Sequence, residues 1–154
     1  MVQYFVRKRK GKNKALKKEF FLIIIILIII IVLEIVTNYI SKNSVDKTYK
    51  EIVIVNKKLE DANIKKENSV FEKVEKEELD KEIKKLKNTW FKEQDKLSFF
   101  FEHDELEKVS KCVIVLEENA RNEEYTDALE DGKEFIYWLD HFKEKDSMKF
   151  KNIF

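Results

Sequence analysis

The chain has 154 residues, of which 44% are hydrophobic and 40% are charged, and it contains two glycines, no proline and one cysteine. Sheet folds and phosphate-binding loops need glycine and proline at their turns, so this composition leaves an all-α protein as the expected fold class. A single cysteine excludes an intramolecular disulfide framework. The 31 basic and 30 acidic residues nearly cancel, to a net charge of +1, but they are unevenly distributed along the chain.

Residues 1–19 form a basic arm. It carries one acidic residue, Glu19, against eight basic ones: Arg7, Lys8, Arg9, Lys10, Lys12, Lys14, Lys17 and Lys18. Because lysines and arginines beside a membrane span are retained in the cytoplasm, we expect the arm to be cytoplasmic. The arm is also suited to contact anionic membrane lipid, which explains its charge without a nucleic-acid partner.

Residues 20–40 predict a transmembrane helix. Their first part, FFLIIIILIIIIVL, is apolar without a break, and a mostly apolar stretch follows Glu34. A helix of this length covers about 30 Å, the thickness of the hydrocarbon core. A buried core helix would carry a polar stripe, and a cleaved signal peptide would be followed by small residues; the run has neither. We expect a single-pass signal-anchor in the cell membrane, with residues 41–154 extracytoplasmic.

Glu34 is the one ionisable residue in the predicted span. Thr37, Asn38 and Ser41 follow at helical spacing and make one polar stripe with it. In one interpretation the stripe binds a partner helix, which makes Glu34, Thr37 and Asn38 the candidate partner-binding residues. In the other, Glu34 lies about 9 Å from the outer end of the span and extends its carboxylate to water. The sequence leaves both open.

Residues 41–154 predict an antiparallel bundle of about four helices, because their apolar residues recur at spacings of three and four. A break over residues 41–44 with Ser44 as N-cap, a connector over 62–69, and Asp104 as a second N-cap set the boundaries. The expected helices cover residues 44–61, 70–100, 104–119 and 124–145. A hydrophobic tail is expected to pack back onto the bundle through Met148, Phe150, Ile153 and Phe154.

Each expected helix has one apolar face. Gly132 lies in the middle of the last face, where glycine costs about 1 kcal/mol relative to alanine, and it therefore indicates a close helix crossing. The inner face of the first segment is Val45, Tyr49, Ile52, Val53, Asn56 and Leu59. That of the long helix is Leu79, Ile83, Leu86, Trp90, Gln94, Leu97 and Phe101.

Few residues point to chemistry. The chain has no glycine-rich phosphate loop, CxxC, HExxH or GxSxG motif, so we expect no enzymatic activity and no cofactor. Cys112 is flanked by Val109 and Val113, which favours an inert core thiol; an intermolecular disulfide is the alternative.

The two histidines, His103 and His141, are expected at the same end of the bundle if the last two helices form a hairpin turning near Asn122. Acidic residues flank both, so this end is a candidate site for a divalent metal or for titration near neutral pH. The alternative is that both histidines make ordinary hydrogen bonds at helix ends.

Two stretches, WFKEQDKLSFFFEHDELEKVS from Trp90 and the closing WLDHFKEKDSMKFKNIF, resemble a family of short single-span proteins of clostridia and bacilli (Firmicutes), domain of unknown function 4363. The sequence departs from the family pattern at Leu97 and at residues 142–143. The resemblance implies a short cytoplasmic start, one span and a charged helical region, and it implies no catalytic residue or substrate. The residues that carry it are Trp90, 98–101, His103, Glu105, His141 and 152–154.

Together these features predict a membrane-anchored, non-enzymatic helical accessory or interaction protein, a subunit of a membrane complex. Its expected partners are membrane lipid and either another membrane protein or further copies of the chain, since the long helix has a stripe suited to coiled-coil assembly. The alternative function is an extracytoplasmic sensor or a module that binds a ligand or metal.

Overall fold

Four helices follow one another in the computed structural model, which describes the backbone of residues 2–67 and 73–151 and the side chains of residues 18–66 and 73–145. No strand occurs in these residues, so the all-α fold class is confirmed for them. The helices are α1 (Val2–Glu67), α2 (Lys73–Leu97), α3 (His103–Arg121) and α4 (Tyr125–Lys151). The chain divides into two compact units, Met1–Asn38 and Tyr39–Phe154.

The first unit contains the apolar run. By length and composition, the described residues include one helix able to cross a membrane, within Lys18–Lys66. The apolar side chains from Phe20 to Leu33 are all exposed, Phe20 at 65% and Ile25 at 37%. A helix from a soluble core would bury such side chains, so their exposure fits a segment whose solvent is lipid.

The second unit is a four-helix bundle made by α2, α3, α4 and the part of α1 from Tyr39 onward. Neighbouring helices run antiparallel, because along each pair of helices the contacting residue numbers rise in one helix and fall in the other. Between α1 and α2 the contacts are Ser44 with Glu93 and Lys58 with Glu78, and between α2 and α3 they are Lys87 with Glu117 and Trp90 with Ser110. Between α3 and α4 they are Asn119 with Asp131 and Glu105 with His141, and between α4 and α1 they are Asp46 with Lys143 and Asn63 with Thr126. The predicted antiparallel bundle is confirmed.

The bundle core is apolar and draws on all four helices. Trp90 is fully buried and meets Phe135 edge to face at 5.7 Å, an arrangement that aromatic rings favour. Phe101 stacks on Phe142 at 4.2 Å. The largest fully buried side chains are Trp90, Tyr125, Phe135, Phe142, Ile52, Leu59, Ile83, Leu86, Leu97, Leu106, Leu116 and Leu139.

Several predicted boundaries are wrong. The expected break over residues 41–44 is absent, and Ser44 is not an N-cap but a buried residue inside α1. The expected connector over 62–69 is helical as far as Glu67, and Ala62 is fully buried. No proline interrupts the hydrogen-bond ladder, and the buried face continues through residues 41–44 as far as Ala62, so the helix continues too.

The other helix ends also shift. The long helix ends at Leu97 instead of residue 100. The N-cap of α3 is Glu102 instead of Asp104, and its backbone N–H donates to Glu105 Oε2 at 3.4 Å. Helix α4 continues to Lys151, beyond the expected end at 145. The packing predicted for the tail residues Met148, Phe150, Ile153 and Phe154 lies outside the described side chains.

Candidate functional site

The predicted partner-binding residues lie on one continuous helix. Glu34, Thr37 and Asn38 are all within α1, and their spacing of three and four places them on one helix face. Ser41, the fourth residue of the predicted stripe, is 1% exposed. Glu34, Thr37 and Asn38 are half-buried, so they are the part of the predicted stripe that stays accessible.

A buried ionic cluster that the sequence did not reveal lies around Glu93 of α2. The Glu93 side chain is 1% exposed. Ser44 Oγ donates a hydrogen bond to Glu93 Oε2 at 2.8 Å, and Lys47 Nζ donates to Oε1 at 2.8 Å. Lys96 Nζ donates to Oε2 at 2.5 Å. Two cations therefore face one carboxylate, so the cluster of Lys47, Lys96 and Glu93 has a net charge of one positive unit.

These donors decide the ionisation of Glu93. Burial alone would raise its pKa, but the hydrogen bonds from Lys47, Lys96 and Ser44 outweigh burial and lower the pKa to about 2. The carboxylate is therefore ionised at every physiological pH. A charge that is paired in this way positions helices and is a poor proton acceptor for catalysis.

A groove borders the Glu93 cluster where α1 leaves the predicted span. It has a volume of about 370 Å³, and we call it the Phe99 groove. Phe99, in the turn after α2, is 83% exposed, and Tyr39 is 72% exposed. The residues that line the groove are Tyr39, Ile40, Asn43, Ser44, Lys96, Phe99 and Phe100.

The two histidines do lie at the same end of the bundle. His141 Nε2 is 3.4 Å from Glu105 Oε1, and Glu105 is in the first turn of α3, which begins with His103. His103 is exposed. Lys145 also donates to Glu105 Oε1. Burial raises the pKa of Glu105, but the contact with Lys145, its largest opposing influence, holds that pKa below its ordinary value.

This arrangement disfavours a metal site at His103 and His141. Glu105, the carboxylate in contact with His141, is already paired with the ammonium of Lys145, which competes with a metal ion for the same oxygen. Within residues 18–66 and 73–145, no group of three or more His, Cys, Asp or Glu side chains has an arrangement that could hold a metal ion.

Cys112 is buried in α3, at 6% exposure. Burial raises the pKa of its thiol to about 12, and the nearby carboxylates of Glu134 and Asp131 act in the same direction. Since the thiolate is the nucleophile, the thiol is chemically quiet at neutral pH.

The sequence contained a signal for Glu93 that is easy to misread. Counting from Trp90 in steps of three or four, both position 93 and position 94 continue the apolar face toward Leu97. Gln94 was the predicted inner residue, but it is only half-buried, whereas Glu93 is buried. The lysines that neutralise Glu93 come from α1 and from the next turn of α2, and only the fold brings them together.

Comparison with known proteins places the chain in a family. The family model described as domain of unknown function (DUF4363) matches residues 35–153. The match includes the bundle and the end of the predicted span. Searches of curated proteins and of solved structures find no match. Since the matched residues make up most of the sequence, the chain belongs to the family of domain of unknown function 4363.

Proposed function

We propose that the chain is a single-pass, membrane-anchored protein of the cell membrane that acts as an accessory or interaction subunit of a membrane complex. The observation that carries this proposal is the polar face of Glu34, Thr37 and Asn38 within the exposed and otherwise apolar stretch of α1 over residues 20–40. Ionisable and amide side chains in a span are costly in lipid, and a partner helix offers them hydrogen bonds.

The charge of the basic arm supports an orientation. Eight lysines and arginines precede the span, and Lys42, Lys47 and Lys50 follow it closely. The larger number is expected in the cytoplasm, which puts the helical bundle outside. The arm also provides cations for anionic lipid at the inner leaflet.

The described side chains support a role without catalysis. The buried carboxylate of Glu93 is neutralised by Lys47 and Lys96, and the Cys112 thiol is protonated at neutral pH. A paired carboxylate is a poor proton acceptor, and a protonated thiol is a poor nucleophile. We therefore assign the bundle an interaction role instead of a reaction.

The test is affinity purification of the full chain from membranes in mild detergent. Wild type is compared with the triple variant Glu34→Leu, Thr37→Leu and Asn38→Leu. The matched control, Ile28→Leu, Ile31→Leu and Val32→Leu, has the same spacing on a different helix face. Differently tagged copies of the chain are co-expressed, so that a homo-oligomer is detected as well.

The proposal predicts that wild type and control retain the same membrane-protein partner or second copy, and that the stripe variant loses it. If wild type recovers neither a partner nor another copy, the proposal is wrong. Equal recovery by the stripe variant would also contradict it, because the polar face would then be irrelevant to binding.

A further inference from the structure

The Phe99 groove combines three properties that point to one ligand. Tyr39 and Ile40, the last two residues of the predicted span, line it together with Phe99. Phe99 and Tyr39 are among the most exposed apolar side chains described. Aromatic side chains at the end of a span are typical of the membrane interface, where a ring meets both headgroups and acyl chains.

Charge supports the same ligand. Lys96 lines the groove and is 44% exposed, and Lys47, which is paired with the same Glu93, is 47% exposed. Both pair with the single carboxylate of Glu93, so one positive charge is left over. Positive charge beside an exposed phenylalanine is complementary to an anionic phospholipid, whose phosphate lies just above its acyl chains.

The position of the groove relative to the bilayer follows from the residues that line it. Tyr39 and Ile40 end the predicted span, so when the span crosses the bilayer they are at its outer surface. Phe99 shares the groove with them and is therefore at the same level. The turn that carries Phe99 is held in place because its other end, Phe101, is buried and stacked on Phe142.

We propose that the Phe99 groove is a second membrane contact, in which Phe99 and Tyr39 insert into the headgroup region of the outer leaflet and Lys96 faces the phosphate of an anionic phospholipid. This inference rests on the proposed membrane anchoring. It adds that the bundle is attached to the bilayer at two places, the span and the turn between α2 and α3. Such a contact would restrict rotation of the bundle relative to the membrane surface.

The test uses the full chain in nanodiscs of phosphatidylcholine and phosphatidylglycerol. In a Cys112→Ala background, Phe99→Cys is labelled with an environment-sensitive fluorophore. Separate preparations carry a nitroxide quencher on the lipid acyl chain either close to the headgroup, for the label at 99, or near the bilayer centre, for the label at 28; the control at 74 is measured in both. The matched control is Val74→Cys, an exposed apolar position at the other end of α2, about 35 Å along the helix from Leu97. Ile28→Cys reports on the span itself.

The proposal predicts that the fluorescence of the label at position 99 shifts to the blue and is quenched by the nitroxide lipid. The label at position 28 should be quenched as well, and the label at position 74 should show neither change. The shift at 99 should weaken when phosphatidylglycerol is omitted. If the label at 28 is quenched and that at 99 behaves like 74, the groove does not touch lipid, although the anchoring stands. If neither 28 nor 99 is quenched, the anchoring itself is wrong.

A second copy of the chain is the competing occupant of the groove. It would give a blue shift at 99 that is insensitive to the nitroxide lipid and disappears when each nanodisc holds one chain. That result would overturn the lipid assignment. The label replaces a side chain that is 83% exposed, so the variant is expected to fold.

Discussion

Gly132 on α4 lies directly against the side-chain amide of Asn56 on α1. A Cβ atom at position 132 would overlap Asn56 Oδ1 and lie 2.9 Å from Asn56 Cγ. Gly132 therefore leaves the space that the Asn56 side chain fills, whereas the close approach of two helix backbones expected at this glycine is not seen between α1 and α4. Asn56 Oδ1 is buried and accepts no hydrogen bond from the described residues.

This contact predicts the effect of Gly132→Ala. The added methyl has no room beside Asn56, so we expect the free energy of unfolding to fall by about 1–3 kcal/mol. In an Asn56→Ala background the space is available, and the same substitution should stabilise the helix by about 1 kcal/mol. The measurement is urea unfolding in detergent of four full-length proteins: wild type, the two single variants and the double variant. An equal change in the free energy of unfolding on Gly132→Ala in both backgrounds would show that Asn56 does not limit the space at position 132.

The acid dependence of folding should depend on Glu93. Its pKa is about 2 in the folded chain and near 4.5 without the fold. The carboxylate therefore stabilises the fold above pH 4.5, and this contribution is lost as the pH falls toward 2. Glu93→Gln should lower the free energy of unfolding by about 3 kcal/mol at pH 7, and by progressively less as the pH falls from 4.5.

The matched control for Glu93 is Glu78→Gln. Glu78 also pairs with a lysine of α1, Lys58, but its side chain is 66% exposed. Exposed pairs contribute little, so we expect a change below about 1 kcal/mol. The measurement is urea unfolding of the full chain between pH 2 and 7. Similar losses for the two variants would mean that burial of the Glu93 cluster has no energetic importance.

The sequence predicted what depends on composition and spacing, and it missed what depends on contacts between helices. The scarcity of glycine and the absence of proline were sufficient to predict the helical class. The spacing of three and four residues was sufficient to predict that Leu79, Ile83, Leu86 and Trp90 are buried. The break at Ser44 was wrong because a hydroxyl that resembles an N-cap is buried against Glu93 instead. Val53, predicted to face inward, is 46% exposed, whereas Val55 is buried.

For the candidate site, the sequence again predicted positions better than partners. It placed His103 and His141 at one end of the bundle, and the contact of His141 with Glu105 confirms this. It could not show that Lys145 also reaches Glu105. The predicted helix 124–145 already included Lys145, but which carboxylate this long side chain reaches depends on the packing of α3 against α4 and not on local sequence.

The Cys112 thiol should react slowly in the folded chain. Burial and the carboxylates of Glu134 and Asp131 keep it protonated, so labelling by a disulfide reagent at pH 8 should be at least about a hundredfold slower than in the urea-unfolded chain. Labelling that is quenched at set times and analysed by mass spectrometry measures the rate in the folded and in the unfolded chain. Fast labelling of the folded chain, or a disulfide-linked dimer on a non-reducing gel, would favour the intermolecular disulfide instead.

Glu123, in the turn between α3 and α4, has a φ of 64°, the left-handed region that glycine adopts without strain. Its side chain pairs with Lys76 at the surface, where such a pair contributes little. We therefore expect Glu123→Gly to raise the free energy of unfolding by about 0.5–1 kcal/mol. Glu124→Gly, at the next position, serves as the control and should not stabilise. The reverse order of stabilities in urea unfolding would show that the turn is not strained.

We propose that residues 20–40 cross the membrane with the basic arm inside. The most direct measurement is protease treatment of right-side-out and inverted membrane vesicles that contain the full chain with different tags at its two ends, after an alkaline carbonate wash. We expect the chain to stay in the membrane, and the protease to remove only the carboxy-terminal tag from right-side-out vesicles and only the amino-terminal tag from inverted ones. Release by carbonate, or a carboxy-terminal tag protected in right-side-out vesicles and cleaved in inverted ones, would contradict the account.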